Sequence, residues 1–319
     1  MLKPKLKFII HSFVVSICCL IFISCNSDDD ALNNEPAIEF QLTEIYSISQ
    51  TRAFAKIESA NNDAIFQLKL STVEGEEIWF DVAADEINSL CNLSMETTYQ
   101  AKIFANLNNR AIEGNSLVFE TDSVGMDQLT EVIEVTNPIT GRTWMDRNLG
   151  AERSAVSRND NRAYGDLYQW GRRADGHQKR DANTTDQQAQ VIQPEHGDFI
   201  MGMLVWNTSG NDQVWQHIDS PNNPCPCGFR LPTPDEFAEE INSWNSQNAD
   251  GALQSVLKLT MPGYRGHTNA VVASEALFGY YWSSESNNTN AFDMGINQNS
   301  AQVTSHTQAG GASVRCIKN

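Results

Sequence analysis

The chain has 319 residues, with 22 basic against 40 acidic side chains and a formal charge of −18. Without the first 24 residues, which carry Lys3, Lys5 and Lys7 and no acid, 19 basic side chains face 40 acidic ones. So acidic a product argues against affinity for a nucleic-acid backbone or an anionic membrane surface, while a sugar, a protein or a divalent cation stays open. At 40 % apolar residues the composition fits a globular chain, neither collagen-like nor coiled-coil, and its length favours two domains.

The three lysines precede an almost unbroken apolar run from Phe8 to Ile23. As a helix that run rises about 24 Å, short of the roughly 20 residues that span a bilayer comfortably, so residues 1–24 read as a signal peptide. Its end, Phe22-Ile23-Ser24-Cys25, resembles the lipobox of bacterial lipoproteins, with Phe in place of the usual Leu. The resemblance implies acylation at Cys25, removal of Cys18 and Cys19 with the leader, and outer-membrane lipid as a partner. The alternative is an ordinary leader cut near Ser24, with Cys25 a free thiol. Residues 25–35 form an acidic tether. Its Ser27 and Asp28-Asp29-Asp30 resemble the signal that sends Bacteroidetes lipoproteins to the outer face of the outer membrane.

Residues 36–122 read as an all-β sandwich. Short alternating stretches at 36–42, 52–57, 65–70, 77–82, 98–105 and 116–120 are separated by Asn, Gly and acidic turns. Leu93 to Tyr99, Ala101 to Ala105 and Leu117 to Thr121 resemble a fibronectin type III domain. That likeness implies that Tyr99 ties its hydroxyl to backbone across a corner, and that the domain is a spacer. Cys91 reads as a small buried hydrophobe.

A connector, 123–135, leads to a second domain at 136–319, with Val132 and Val135 as candidates for its first strand. Trp144 and Leu149 are core candidates, and Asp146-Arg147-Asn148 turns the chain. Tyr164, Leu167, Tyr168 and Gly171 recur at i, i+3, i+4 and i+7, which predicts a helix with an inward stripe. From Arg172 to Ser220 the pattern dissolves into polar residues around Trp206, Trp215, His177, His196 and His217. Spacings of 19 and 21 between the histidines match no metal motif.

Thr233, Pro234 and Glu236 form a capping box opening a helix whose Phe237, Ile241 and Trp244 share a face. Cys225-x-Cys227 lacks the partner pair that a metal or redox site needs. In an oxidising setting one of the two closes a disulfide with Cys316; we favour Cys225, leaving Cys227 over. Gly-rich short strands fill the last hundred residues, with a hairpin loop at Asn287 to Asn290.

Six words occur in order: Trp144 with Asn148-Leu149, Tyr164 to Trp170, Cys225 to Thr233, Pro262 to Arg265, Tyr281 to Ser284, and Ser313 to Cys316. Together they resemble the Fibrobacter succinogenes major paralogous (FISUMP) domain. The resemblance implies an α+β, C-type-lectin-like fold, more distantly similar to the formylglycine-generating domain, and a disulfide between Cys225 and Cys316. Calcium-dependent lectins of that fold use Glu-Pro-Asn or Gln-Pro-Asp with Trp-Asn-Asp. Gln193-Pro194-Glu195 and Trp206-Asn207-Thr208 depart from both, so no metal and no cofactor is expected. Arg265, Tyr281, Trp282 and Arg315 lie in framework words, where an Arg stem against a ring is structural. No Gly-x-Ser-x-Gly, His-Glu-x-x-His, Walker or dinucleotide motif is present, and no catalytic residue is assigned. The expected function is non-catalytic recognition or adhesion at the cell surface, with a glycan or a surface protein as ligand. Two alternatives are an accessory subunit of an outer-membrane complex and a carbohydrate-processing enzyme with paired carboxylates.

Overall fold

The computed structural model describes residues 39–60, 64–107, 110–122, 130–210 and 214–319. Cys25, the leader and the tether lie outside the described residues. Seven strands build the first domain: β1 (Phe40–Tyr46), β2 (Arg52–Ser59), β3 (Ile65–Thr72), β4 (Glu77–Val82), β5 (Asn88–Cys91), β6 (Thr98–Leu107) and β7 (Arg110–Glu120). They pair antiparallel as two sheets, β1-β2-β5 and β4-β3-β6-β7, a two-sheet sandwich. The period of two puts Ala53, Ala55 and Ile57 of one sheet against Leu68, Leu70, Tyr99, Ala101 and Ile103 of the other. Tyr99 reaches across the corner, and its hydroxyl accepts from the backbone N–H of Ser94 at 2.8 Å.

Strand β5 has no counterpart in the sequence reading, because only its Leu90 is a large apolar residue. It is pinned by Asn88, whose side chain accepts from Ala83 N and donates to the Ala83 and Ala55 carbonyls. The first half of β2 is buried on both faces: Arg52 and Phe54, which point away from the sandwich core, are 8 % and 1 % exposed, whereas Lys56 and Glu58 farther along that face are exposed. The second domain covers Arg52 and Phe54, and Ile38–Asn319 is one compact unit.

The second domain begins at β8 (Glu134–Thr136), inside the expected connector, with Val135 opposite Trp144 of β9 (Thr143–Met145). After one 3-10 turn come the two-residue strands β10 (Tyr168–Gln169), β11 (Thr184–Thr185), β12 (Phe199–Ile200) and β13 (Phe229–Arg230). Helices α1 (Pro234–Asn242) and α2 (Ala249–Gln254) follow, then β14 (Tyr264–Arg265) and β15 (Val272–Ala273). A three-stranded meander, β16 (Phe278–Asn287), β17 (Asn290–Asn297) and β18 (Ala301–Thr307), precedes β19 (Gly311–Ala312) and β20 (Ile317–Lys318). Strand β20 lies between β13 and β9, so the two ends of the domain meet in one sheet.

Helix α1 starts as its sequence dictates. The Thr233 hydroxyl accepts from Glu236 N, the Glu236 carboxylate accepts from Thr233 N, and Pro234 opens the first turn. Phe237, Ile241 and Trp244 are all buried.

The helix expected at 164–171 does not form. Gly165 has φ +70° and passes so close to Leu149 that a Cβ would stand 2.3 Å from its carbonyl oxygen. The chain runs extended instead into β10, which pairs with β19. Tyr164, Leu167, Tyr168 and Trp170 are nonetheless buried. Their helical spacing reflects a core packed from several directions.

Buried arginines organise the irregular chain. Arg315 is 2 % exposed, and burial drives its pKa down to about 10. Its Nε and Nη2 donate to Asn148 Oδ1 at 3.1 and 2.8 Å, and its Nη1 to the Leu257 carbonyl at 2.6 Å. Asn148 also donates to the carbonyls of Ala163 and Tyr164. Asn148→Ala removes the acceptor of two charge-assisted bonds, and urea denaturation is expected to show a loss of about 2–4 kcal/mol.

Candidate binding surface

The framework words hold framework residues. Arg265 lies over the Phe199 ring at 4.3 Å and donates to the carbonyls of Ala270, Lys179 and Ala182. Tyr281 donates to Thr260 O, and Trp282 Nε1 to Tyr168 O. Trp206 and Trp215, scattered in sequence, are fully buried with indole N–H groups on Trp170 O and Asn222 O. The polar stretch is therefore anchored chain.

Of the three histidines, His177 is wholly buried. Its Nε2 accepts from Gln169 N at 3.0 Å and its Nδ1 faces Asp175 Oδ1 at 2.7 Å, which fixes a neutral imidazole with the proton on Nδ1. Burial, then the nearby Arg172, pushes its pKa down to about 4. Burial opposes ionisation of Asp175, but His177 and Arg172 outweigh it and hold the carboxyl at about 2. Among the described residues no group of three or more His, Cys, Asp and Glu side chains is placed to hold a metal ion. Gln193 accepts from the Ser47 hydroxyl of the sandwich at 2.9 Å and donates to Asn222, so it serves the seam between domains.

Two disulfides form. Cys225 bonds to Cys316 with 5.9 Å between Cα atoms, closing a loop of 91 residues worth about 4–5 kcal/mol in the chain-entropy model. Cys227 is not left over, and Cys91 is not a plain hydrophobe: they bond to each other, Cα atoms 6.0 Å apart, across 136 residues. This bridge joins the end of β5 to the turn before β13, and no spacing rule reveals it, because it exists only once the domains dock. The sandwich is thus stapled to its neighbour, against the expectation of a simple spacer. A cleft of about 1030 Å³ follows the seam, lined by Ser49, Arg52, Arg173, Lys179, Glu195 and others. Its mixed charges define no single ligand class.

A more distinctive surface lies on the meander. Alternation along β16 turns Phe278 and Tyr280 to one face, where Tyr264 of β14 and His306 of β18 join them. The Tyr280 centroid is 5.8 Å from Tyr264, 6.0 Å from Phe278 and 4.6 Å from His306. Tyr264 is 37 % and Phe278 36 % exposed, and the His306 side chain is 48 % exposed. Behind them Asp293 of β17, fully buried, takes a hydrogen bond from Thr304 Oγ1 at 2.5 Å and faces His306 Nδ1 at 2.7 Å. That bond to Asp293 raises the His306 pKa despite partial burial, and burial raises that of Tyr280. Tyr264 Oη, Tyr280 Oη and His306 Nε2 make no hydrogen bond to other described residues.

The sequence reading left Tyr264, Phe278, Tyr280, Asp293 and His306 among the short strands of the last hundred residues and gave none of them a role. The signal was available in the period of two, since Asp293 and Thr304 are opposed across β17 and β18.

No protein-family model matches the sequence, and no curated protein matches it. Solved structures that match do so over the sandwich-sized part of the chain. The sensor domain of the anti-sigma factor RsgI4 of Pseudobacteroides cellulosolvens is 19 % identical, over 30 % of this chain and 99 % of that one, with a TM-score of 0.22. A fibronectin type III domain of human KIAA0970 protein is 14 % identical, over 31 % and 83 %, at 0.23. The fibronectin type III domain of human collagen alpha-1(XX) chain is 12 % identical, over 34 % and 98 %, at 0.24. The sandwich itself is defined by its own strand order and register.

Because the folded-state pKa of His306 is raised above 6.5, its pairing with Asp293 adds stability that is full below that pH. The contribution fades as pH rises through the raised value. Urea midpoints of the wild type are expected to fall between pH 6 and pH 8.5 more than those of Asp293→Asn, and equal slopes would refute the pairing.

Proposed function

We propose that this chain is a lipid-anchored protein of the outer membrane, facing the cell exterior, whose role is non-catalytic recognition of glycan. The aromatic strip Tyr264–Phe278–Tyr280–His306 carries the reading. The C–H faces of a pyranose pack against exposed aromatic rings, while its hydroxyls need partners at the rim. Here two phenol hydroxyls and one imidazole nitrogen stand ready, and Asp293 fixes the imidazole from behind so that little order remains to be imposed on binding. The outer nitrogen of His306 meets no hydroxyl or thiol among the described residues, and we give the pair a binding role rather than activation of a nucleophile.

The basic, apolar leader, Cys25 and the acidic run after it support the anchor. Replacing Cys25 by Ala is expected to abolish incorporation of labelled palmitate and to leave the leader uncleaved on an immunoblot.

A glycan and polysaccharide array probed with the full chain in mild detergent, with calcium and with EDTA, tests the ligand. Saturable binding to a coherent set of sugars is expected in both arms, weakened about tenfold or more by Tyr280→Ala. Sugar binding that survives this substitution moves the site elsewhere. Silence in both arms would turn the reading to a protein partner, and dependence on calcium would bring back a metal.

A further inference from the structure

Two disulfides share the turn from Pro224 to Gly228, in different surroundings. Cys225 and Cys316 are 3 % and 0 % exposed, sealed in the core of the second domain. Cys91 and Cys227 are both partly exposed, at the seam. The seam also holds Arg52, whose guanidinium is buried; the nearby charge of Asp219 favours it only in part against burial, and no carboxylate hydrogen-bonds it among the described residues. Its Nε donates to Cys227 Sγ at 3.2 Å and its Nη2 to the Cys225 carbonyl at 3.3 Å. A desolvated cation gains little from the neutral sulfur of a disulfide and far more from a thiolate at the same place. A neighbouring cation lowers the pKa of a thiol, and in thiol–disulfide exchange the sulfur of lower pKa leaves faster.

We infer that the Cys91–Cys227 bridge is a thiol-exchange site through which a dithiol, small-molecule or protein, unlocks the two domains from each other. A thiolate of the dithiol attacks Cys91 Sγ. A mixed disulfide forms there as the bond to Cys227 breaks, and its electron pair passes to Cys227 Sγ, beside the Arg52 guanidinium. The second thiol of the dithiol loses its proton to water and attacks the dithiol's own sulfur in the mixed bond, releasing Cys91, which takes up a proton. The dithiol ends as a disulfide, two electrons have passed to Cys91 and Cys227, and Cys225–Cys316 is untouched. Afterwards the domains are held by the connector and by contacts such as Ser47 with Gln193.

The test is graded reduction of the full chain with dithiothreitol, followed by alkylation and peptide mass spectrometry of all four cysteines. Cys91 and Cys227 are expected to open at a reductant concentration about tenfold or more below that for Cys225 and Cys316. In the half-reduced protein, Cys227 is expected to alkylate about tenfold faster than Cys91 at pH 6.5, and Arg52→Leu to erase that lead. Opening of all four cysteines together, or Cys91 reacting as fast as Cys227 in the wild type, would overturn the inference. Both of those readings need only the wild-type chain, so they stand even where Arg52→Leu does not fold.

Discussion

The second domain depends on a buried positive charge that, among the described residues, no carboxylate neutralises through a hydrogen bond. Arg315 has left water completely, and what replaces its hydration is a set of fixed dipoles: Asn148 Oδ1, the Leu257 carbonyl and, at 3.4 Å, the Met145 carbonyl. An unmet donor on a desolvated cation is costly, so each dipole has to stay within hydrogen-bond reach. Three segments distant in the chain are thereby fixed against one another, next to the Cys225–Cys316 bridge. Arg265 repeats the device with the carbonyls of Ala270, Lys179 and Ala182, while Arg172, ion-paired with Asp175, also gathers those of His196 and Asp198. In a domain where many strands are two residues long, arginine forks gather loop carbonyls as ladders gather them in an ordinary sheet.

This explains what could be read in advance and what could not. Alternation along the sandwich strands and the Thr233–Glu236 capping box are local, and local chemistry decided them. The corner at Tyr99 was implied instead by the resemblance to fibronectin type III domains, and its hydroxyl does take the Ser94 N–H. The stretch from Tyr164 to Gly171 carries a helical spacing too, but Gly165 has to pass against Leu149, and that tertiary contact overrides the period. Cys91 and Cys227 find each other only through docking, 136 residues apart. The burial of Arg52 and Phe54 of β2 is the structural trace of that docking, and the alternation of the strand does not reveal it.

The candidate site shows the same division. Its rings lie on three strands, each residue unremarkable in its own word, and the register of the meander brings them together. Among the described residues the buried Asp293 carboxylate is met by the side chains of Thr304 and His306, so it fixes the imidazole's orientation as well as adding stability. The strip therefore rests on paired backbone, while the mixed-charge cleft lies among loops along the seam.

The bridge between Cys91 and Cys227 also decides how the protein bears tension. In the anchored, ligand-binding role proposed above, a pull on bound ligand would travel back through the molecule to its point of attachment. With the bridge closed, the load leaves the second domain at the turn before β13 and enters the sandwich at the end of β5, bypassing residues 92–226 of the covalent chain. The strands β6 and β7 that precede the connector are spared, and the covalent path is shorter. A closed bridge gives the load a second covalent route between the domains, whereas an open one leaves it to the main chain and to the contacts of the seam.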